Sequence, residues 1–267
     1  MQVTSGTGFL HDKEDKRDFK LTRSKLPNSV ALDSDAALPT KVDLESRFTP
    51  VENQQDIGSC TAQAVTGVAE YVTNKDKETY TDLSRLFLYK VTRNLMGVTG
   101  DTGSSIRACM HALRTLGICP EYYYPYVTED FDEEPPALAY ALAQNFKSMN
   151  YYRLDDEGDD LLQSIKEHIA SANPIVCGVK VFSGYFKSNG NVYYPEGGVA
   201  DSSGWHAIIL MGYDEAKKMF KFRNSWGTDW GNRGYGWISY DYFLSRATSS
   251  DFWILNKIDY VDINDIL

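Results

Sequence analysis

Apolar spacing divides this chain into a helical part followed by a part made of strands, and this order constrains the fold most. From Cys60 onward, apolar residues recur at the spacing of one helix face, at Ala62, Val65, Ala69 and Val72. Related patterns predict further helices over residues 83–96, 104–116, 137–146 and 159–172. Short β-branched or aromatic segments separated by glycine predict strands at residues 174–182, 206–213, 219–223 and 234–240. Helices before strands favour an α+β protein of two lobes with a site at their seam.

Length and charge narrow the classes of protein to which the chain can belong. Its 267 residues suffice for one large domain or two lobes, so neither a disulfide nor a metal is needed to support folding. The net charge of −10 disfavours nucleic acid as a partner, because phosphate binding needs clustered Lys and Arg. No apolar run reaches membrane-spanning length, so we expect no membrane partner either. We expect a monomer.

The cysteines and histidines lack the spacing of a metal site. The four cysteines, at positions 60, 109, 119 and 177, include no C-x-x-C pair, and no H-E-x-x-H occurs among the four histidines. We therefore expect no metal and no cofactor.

Residues 1–37 form a polar, irregular segment, which we call the arm. Residues 11–18 alternate in charge without an apolar period, which indicates an extended arm or a poorly ordered tail. Globular patterning begins after Leu38 and Pro39. The first residues lack a basic region followed by an apolar one, so no signal peptide is visible.

Three short segments carry residues suited to nucleophilic catalysis. Cys60 opens a predicted helix, where unpaired N–H groups and the helix dipole favour a thiolate, although such a cysteine is more often a small buried hydrophobe. His206 opens an apolar strand and is the histidine best placed to face a helix in the other lobe, unless backbone carbonyls simply satisfy it. Asn224 begins a segment rich in glycine and tryptophan, which is either a specialised loop or a turn with core tryptophans. An asparagine oxygen can fix the tautomer of a histidine and aim its other nitrogen at a thiol.

Taken together, these segments resemble the papain-like cysteine peptidases. Gln54 lies six positions before Cys60, and His206 lies 146 positions after it, inside the spacing typical of that family, while Asn224 lies slightly beyond. Asn224 also opens a run that reads Asn-Ser-Trp-Gly-x-x-Trp-Gly-x-x-Gly-Tyr-Gly. The resemblance covers roughly residues 38–252, and residues 38–43 are similar to the start of the mature family enzymes.

The resemblance implies a papain-like α+β fold of two lobes with the active-site cleft between them. A peptidase domain is expected over residues 38–267, with a helical lobe at about 50–130 and an antiparallel, β-barrel-like lobe at about 131–255. Carried over residue by residue, Cys60 is the nucleophile, His206 the acid and base, and Asn224 the residue that orients His206. Gln54 would supply an oxyanion-hole donor beside the backbone N–H of Cys60.

The substrate contacts implied by the resemblance include a backbone-pairing edge, a mostly apolar pocket and aromatic walls. They are Gly103, Ser104, Ser105, Ile106, Trp205, Ala207 and Trp226.

The chain also departs from the family pattern. Ile57 stands where the family has a cysteine, so one family disulfide is absent, and the three cysteines besides Cys60 cannot all pair. This predicts a divergent member lacking the usual disulfides in a reducing compartment, either cytoplasmic or exported by a route without a signal.

The function implied by the resemblance is thiol-dependent cleavage of peptide bonds within peptide or protein substrates. An acyl transferase using the same Cys-His-Asn triad is the alternative, and an inactive binding module is a third interpretation. The arm is either a short inhibitory prosegment laid over the cleft or a strap packing the two lobes. We favour the inhibitory segment.

Overall fold

The computed structural model describes residues 7–13, 15, 16, 18–21, 37–74, 80–187, 189–196 and 202–260. All five predicted helices are confirmed, and the fourth ends three residues earlier than expected. The helices are α1 Cys60–Thr73, α2 Arg85–Met96, α3 Ile106–Thr115, α4 Ala137–Ala143, α5 Gly158–Ala170 and the short α6 Ser183–Lys187. Single 3₁₀ turns lie at Glu45–Arg47, Glu121–Tyr123, Thr128–Asp130 and Tyr240–Phe243.

The four predicted strands are confirmed, but two of the longest strands escaped prediction. The strands are β1 Lys20–Leu21, β2 Lys41–Asp43, β3 Phe146–Leu154, β4 Ile175–Phe182, β5 Asn191–Val192, β6 Ser202–Asp214, β7 Met219–Arg223, β8 Tyr235–Ser239 and β9 Ser249–Tyr260. The missed pair is β3 and β9, which lie side by side and antiparallel. β3 contains Lys147, Asn150 and Arg153, so its strand character depends on its pairing with β9 more than on an apolar run.

The strands form one large, mostly antiparallel sheet and not the barrel-like lobe that the sequence suggested. The strand order is β1-β3-β9-β4-β6-β7-β8-β5, with β2 paired to β6 outside this path. Among the described residues, the end strands β1 and β5 do not pair with each other, so the sheet is open. Closure of a sheet depends on the tilt and stagger of its strands. The alternation of side chains within a single strand does not predict either quantity.

Helix α1 is the element that brings the helical part and the sheet together. Every residue of α1 except Val72 is buried, because the helix lies between α2 and α3 on one side and β6 and β9 on the other. Gly67 permits this close approach, since a Cβ there would lie 2.9 Å from the Ile209 Cδ1 atom of β6. The first residue of α1, Cys60, therefore lies beside β6, the strand that carries His206. The lobe boundary near residue 130 stays a prediction.

All four cysteines lie within the described residues, where they are buried and free of disulfides, as expected. In the part of the chain that the structure describes, no helix has the length and apolar character needed to cross a membrane.

Candidate active site

Cys60 is fully buried at the N-terminus of α1. Burial raises the pKa of the Cys60 thiol to about 11, and hydrogen bonds from the backbone of Ala207, Gly8 and Thr61 oppose this rise. Two of those hydrogen-bonding groups come from outside α1: Ala207 follows His206 in β6, and Gly8 belongs to the arm. The thiol therefore lies where the helical part, the sheet and the arm meet.

His206 is held in one orientation by Asn224. Its Nε2 atom lies 2.7 Å from the Asn224 Oδ1 atom, which also accepts a hydrogen bond from the Ser225 N–H at 2.8 Å. An amide oxygen only accepts, so Nε2 carries the hydrogen and Nδ1 keeps its lone pair. Nδ1 is buried and has no hydrogen-bond partner among the described residues. His206 thus has one nitrogen occupied and one available as a base.

An aromatic ring covers this histidine. The rings of His206 and Trp226 have centroids 4.6 Å apart, and both residues are buried. Burial lowers the pKa of His206 to about 4, against the hydrogen bond to Asn224, which raises it. With the arm in place, the shifts of Cys60 and His206 both favour the neutral thiol and the neutral imidazole.

Gln54 is a fully buried amide fixed from both ends. Its Nε2 donates to the Ile57 carbonyl at 3.0 Å, and its Oε1 accepts from the Ser225 hydroxyl at 2.7 Å. The backbone N–H of Gln54 donates to the Ser225 carbonyl at 2.8 Å. The N–H end of this amide therefore faces the loop that leads into Cys60.

The segment before Gln54 and the segment that carries Asn224 are joined by further hydrogen bonds. The buried guanidinium of Arg223 donates to the carbonyls of Thr49 at 2.7 Å and Pro50 at 2.5 Å. The Gly227 N–H donates to the Glu52 carbonyl at 3.0 Å. Because these hydrogen bonds join the two segments, the same contacts position the Gln54 amide and, through Asn224, the His206 imidazole.

The arm lies in the cleft over Cys60. The Ser104 N–H donates to the Gly8 carbonyl at 2.9 Å, and the Leu10 N–H donates to the Ser104 carbonyl at 3.0 Å. The arm therefore pairs in parallel with the edge at Ser104. A methyl group on Gly8 would overlap the Gly58 carbonyl, so only glycine fits this close approach of two backbones.

The Phe9 side chain fills a pocket on the sheet side of the cleft. Phe9 is 6% exposed, and its ring lies against Gly178 in the middle of β4 and 6.0 Å from the Trp205 ring. A Cβ on Gly178 would overlap the Phe9 ring. Sequence reasoning missed both residues. The available signal was a glycine inside an apolar strand, which marks the close approach of another group.

Beyond Phe9 the arm is anchored by polar contacts. The Asp12 carboxylate accepts from the Trp253 Nε1 atom at 2.7 Å and from the Arg107 backbone N–H at 3.1 Å. Arg107 also forms an ion pair with Asp18 of the arm. Farther along, β1 adds a short parallel strand to the end of β3.

The predicted substrate-binding residues fall into three groups. The first group contacts the arm and consists of Gly103, Ser104 and Trp205. A Cβ on Gly103 would overlap the Gly8 carbonyl, and the ring centroids of Trp205 and His11 are 4.2 Å apart. Ala207 reaches the thiol through its backbone and Trp226 covers His206, as described above. Ser105 caps the N-terminus of α3, where its hydroxyl accepts a hydrogen bond from the Ala108 N–H at 3.3 Å, and Ile106, the first residue of α3, is fully buried. Their roles toward substrate stay predictions.

The chain also matches a known protein family. A family model described as papain family cysteine protease matches residues 38–249. The chain belongs to the papain family of cysteine proteases. The matched region begins where the sequence predicted the start of the peptidase domain, so the family expectation is confirmed.

Relatives of this papain-family protein come from several sources. An uncharacterized peptidase C1-like protein of Acanthamoeba polyphaga mimivirus is 31% identical, over 98% of this chain and 90% of that protein. The crystal structure of xylellain, a cysteine protease from Xylella fastidiosa, is 32% identical with a TM-score of 0.82, over 96% of this chain and 98% of that one. Cathepsin K of Mus musculus is 28% identical, over 82% of this chain and 68% of that protein.

Proposed function

We propose that this papain-family protein is a thiol-dependent endopeptidase that forms an acyl-enzyme on Cys60. The observation that supports this most is the orientation of His206. Its Nε2 is occupied by Asn224 at 2.7 Å, and its Nδ1 is left with a buried lone pair in the strand that also supplies Ala207 to the thiol. A nucleophile, a base and a group that orients the base form the arrangement expected for nucleophilic catalysis.

The reaction proceeds through two acyl-transfer steps. The Cys60 sulfur, as thiolate, attacks the peptide carbonyl, and the oxyanion receives hydrogen bonds from the Cys60 N–H and the Gln54 amide. His206, as imidazolium, gives its proton to the departing amine, so a thioester and a free amine result. His206 then removes a proton from water, which attacks the thioester, and the carboxylic acid and the Cys60 thiolate are released with His206 again an imidazolium.

The same proposal assigns an inhibitory role to the arm. Gly8 fills the space directly beside Cys60, Phe9 fills a pocket, and the arm takes both hydrogen-bonding groups of the Ser104 backbone. A substrate chain needs that space, so it competes with the arm for the cleft. We therefore infer a latent enzyme in which release of residues 7–12 precedes catalysis.

The test uses the full chain with Gly8→Ala, because the added methyl group cannot fit against Gly58. Peptides blocked at both ends, with a fluorophore and a quencher, should be cleaved at internal bonds faster by Gly8→Ala than by the wild type. Cleavage should disappear when Cys60→Ala is added and persist with Cys119→Ala, which replaces another buried thiol. Persistence of cleavage in the Cys60→Ala chain would refute the assignment of the nucleophile.

Product analysis separates hydrolysis from the acyl-transfer alternative. With an added amine such as glycine amide, the peptidase should release mainly the free acid. A product that consists mainly of the new amide would favour an acyl transferase with the same three residues.

A further inference from the structure

Asp101 carries a carboxylate at the cleft that the mechanism does not use. Its Oδ1 atom accepts hydrogen bonds from the Gly58 N–H at 2.8 Å and from the Tyr89 hydroxyl at 2.5 Å, and its Oδ2 atom lies 3.1 Å from the Gly58 nitrogen. Asp101 itself is exposed. The nearby guanidinium of Arg93, which lies over the Tyr89 ring, forms its ion pair with Asp132 at 2.8 Å. Asp101 therefore presents a negative charge at the cleft.

The carboxylate borders the same space as the arm residue beside Cys60. A Cβ placed on Gly58 would lie 3.1 Å from the Asp101 Oδ1 atom and 3.2 Å from the Gly8 Cα atom. Gly58 itself is only two positions before Cys60. Gly8 has no side chain and so offers no group to this charge.

We propose that Asp101 selects substrates that carry arginine or lysine on the residue that supplies the scissile carbonyl. This inference rests on the proposed peptidase function. When the sulfur attacks a carbonyl, the Cα of that substrate residue enters the space that Gly8 fills in the docked state. A long basic side chain leaving that Cα reaches Oδ2, which has lone pairs left after its contact with Gly58. The net charge of −10 also favours the approach of a basic peptide.

Asp101 also has a structural role, because it ties the loop before Cys60 to Tyr89. The substitution Asp101→Asn separates the two roles. An asparagine oxygen can still accept from the Gly58 N–H and from the Tyr89 hydroxyl, while the negative charge is removed. A purely structural effect would change kcat/KM by the same factor for every peptide. Loss of charge selection would instead change the ratio of kcat/KM between basic and neutral peptides.

The experiment measures kcat/KM with the full chain carrying Gly8→Ala. Three peptides differ only in the residue that supplies the scissile carbonyl, which is arginine, glutamine or glutamate. A second set carries the same three changes on the other side of the scissile bond as a control. Because the carboxylate is solvent-exposed, we expect arginine to exceed glutamine by about 3- to 10-fold, with glutamate lowest. In the control set the three values should agree within about 2-fold.

Adding Asp101→Asn should bring the arginine-to-glutamine ratio to within about 2-fold of one. Raising the salt concentration to about 0.5 M should lower the ratio in the Gly8→Ala chain, because salt screens an exposed pair. Two results would overturn the role of Asp101 while leaving the peptidase function intact. One is an arginine-to-glutamine ratio near one in the Gly8→Ala chain, and the other is a high ratio that persists after Asp101→Asn is added. If none of the peptides is hydrolysed, the proposed function itself fails. If Asp101→Asn does not fold, a ratio that is insensitive to salt would overturn the inference.

Discussion

Among the arm side chains that the structure describes, Phe9 is the one that is apolar and buried, so Phe9→Ala tests whether the arm controls activity. The ring is 6% exposed in the docked state and would be solvated once the arm leaves. Complete burial of a phenylalanine side chain contributes about 1.5–3 kcal/mol. Since about 1.4 kcal/mol corresponds to a tenfold change in an equilibrium constant, Phe9→Ala should weaken docking by about 10- to 150-fold.

The assay is the initial rate of hydrolysis of a quenched peptide by the full chain, at a substrate concentration well below KM. Under that condition the rate follows the fraction of molecules with an open cleft, so it should rise with the weakening of docking until every cleft is open. Leu10→Ala is the matched control. Leu10 is 41% exposed and its contact with Ser104 uses only backbone atoms, so the rate should change by less than about 3-fold.

Two results would refute this reasoning. The first is a folded Phe9→Ala chain that hydrolyses peptide at the wild-type rate or more slowly, while Gly8→Ala is faster, because the buried ring would then contribute nothing to docking. The second is an equal effect of Phe9→Ala and Leu10→Ala. Thermal unfolding of each variant, followed by circular dichroism, verifies that the chains compared are folded.

Three further outcomes test the site and the core. In the Gly8→Ala background, Gln54→Ala should lower kcat by about 10²- to 10³-fold through loss of one oxyanion donor, as steady-state kinetics would show, and an unchanged kcat would contradict that role. Because burial raises the pKa of Cys60 to about 11, the thiol of the docked wild type is neutral at pH 7, and the arm covers it. Alkylation of Cys60 by iodoacetamide at pH 7, followed by mass spectrometry, should therefore be slower in the wild type than in the Gly8→Ala chain, and equal rates would contradict this. Glu70→Ala should lower the free energy of unfolding in urea by about 3–5 kcal/mol, because it leaves the buried guanidinium of Arg85 with only the more exposed carboxylates of Asp82 and Glu52 and removes the acceptor of the Thr49 hydroxyl and the Leu83 N–H. A loss below about 1 kcal/mol would contradict the importance of this buried carboxylate.

The catalytic candidates were accessible from the sequence because each lies in a short segment with its own local signature. Cys60 opens a helix that the apolar spacing predicts, and His206 opens a strand that the β-branched run predicts. Gln54 and Asn224 lie at spacings that resemble one family, and the family comparison then confirmed that membership. Such signals are readable without coordinates because they depend on neighbours in the chain and on residue chemistry.

The contacts that control access to the thiol carry no comparable signal. Gly8 and Phe9 lie in a polar arm without an apolar period, and their partners Gly58, Gly103 and Gly178 come from distant segments. Asp101 stands in a loop where its sequence neighbours give no reason to single it out. Each of these contacts depends on the fit between surfaces that only folding brings together.

The sequence by itself therefore determined five of the helices, four of the strands, the family and the set of reactive side chains, because periodicity and short motifs act over a few residues. The tertiary structure alone decided that the sheet stays open, that β3 pairs with β9, and that residues 7–12 lie over Cys60. It also buried both catalytic candidates, and this burial raises the pKa of the Cys60 thiol and lowers that of the His206 imidazole. Burial, register and docking are sums over contacts between residues far apart in the chain, and no local pattern contains them.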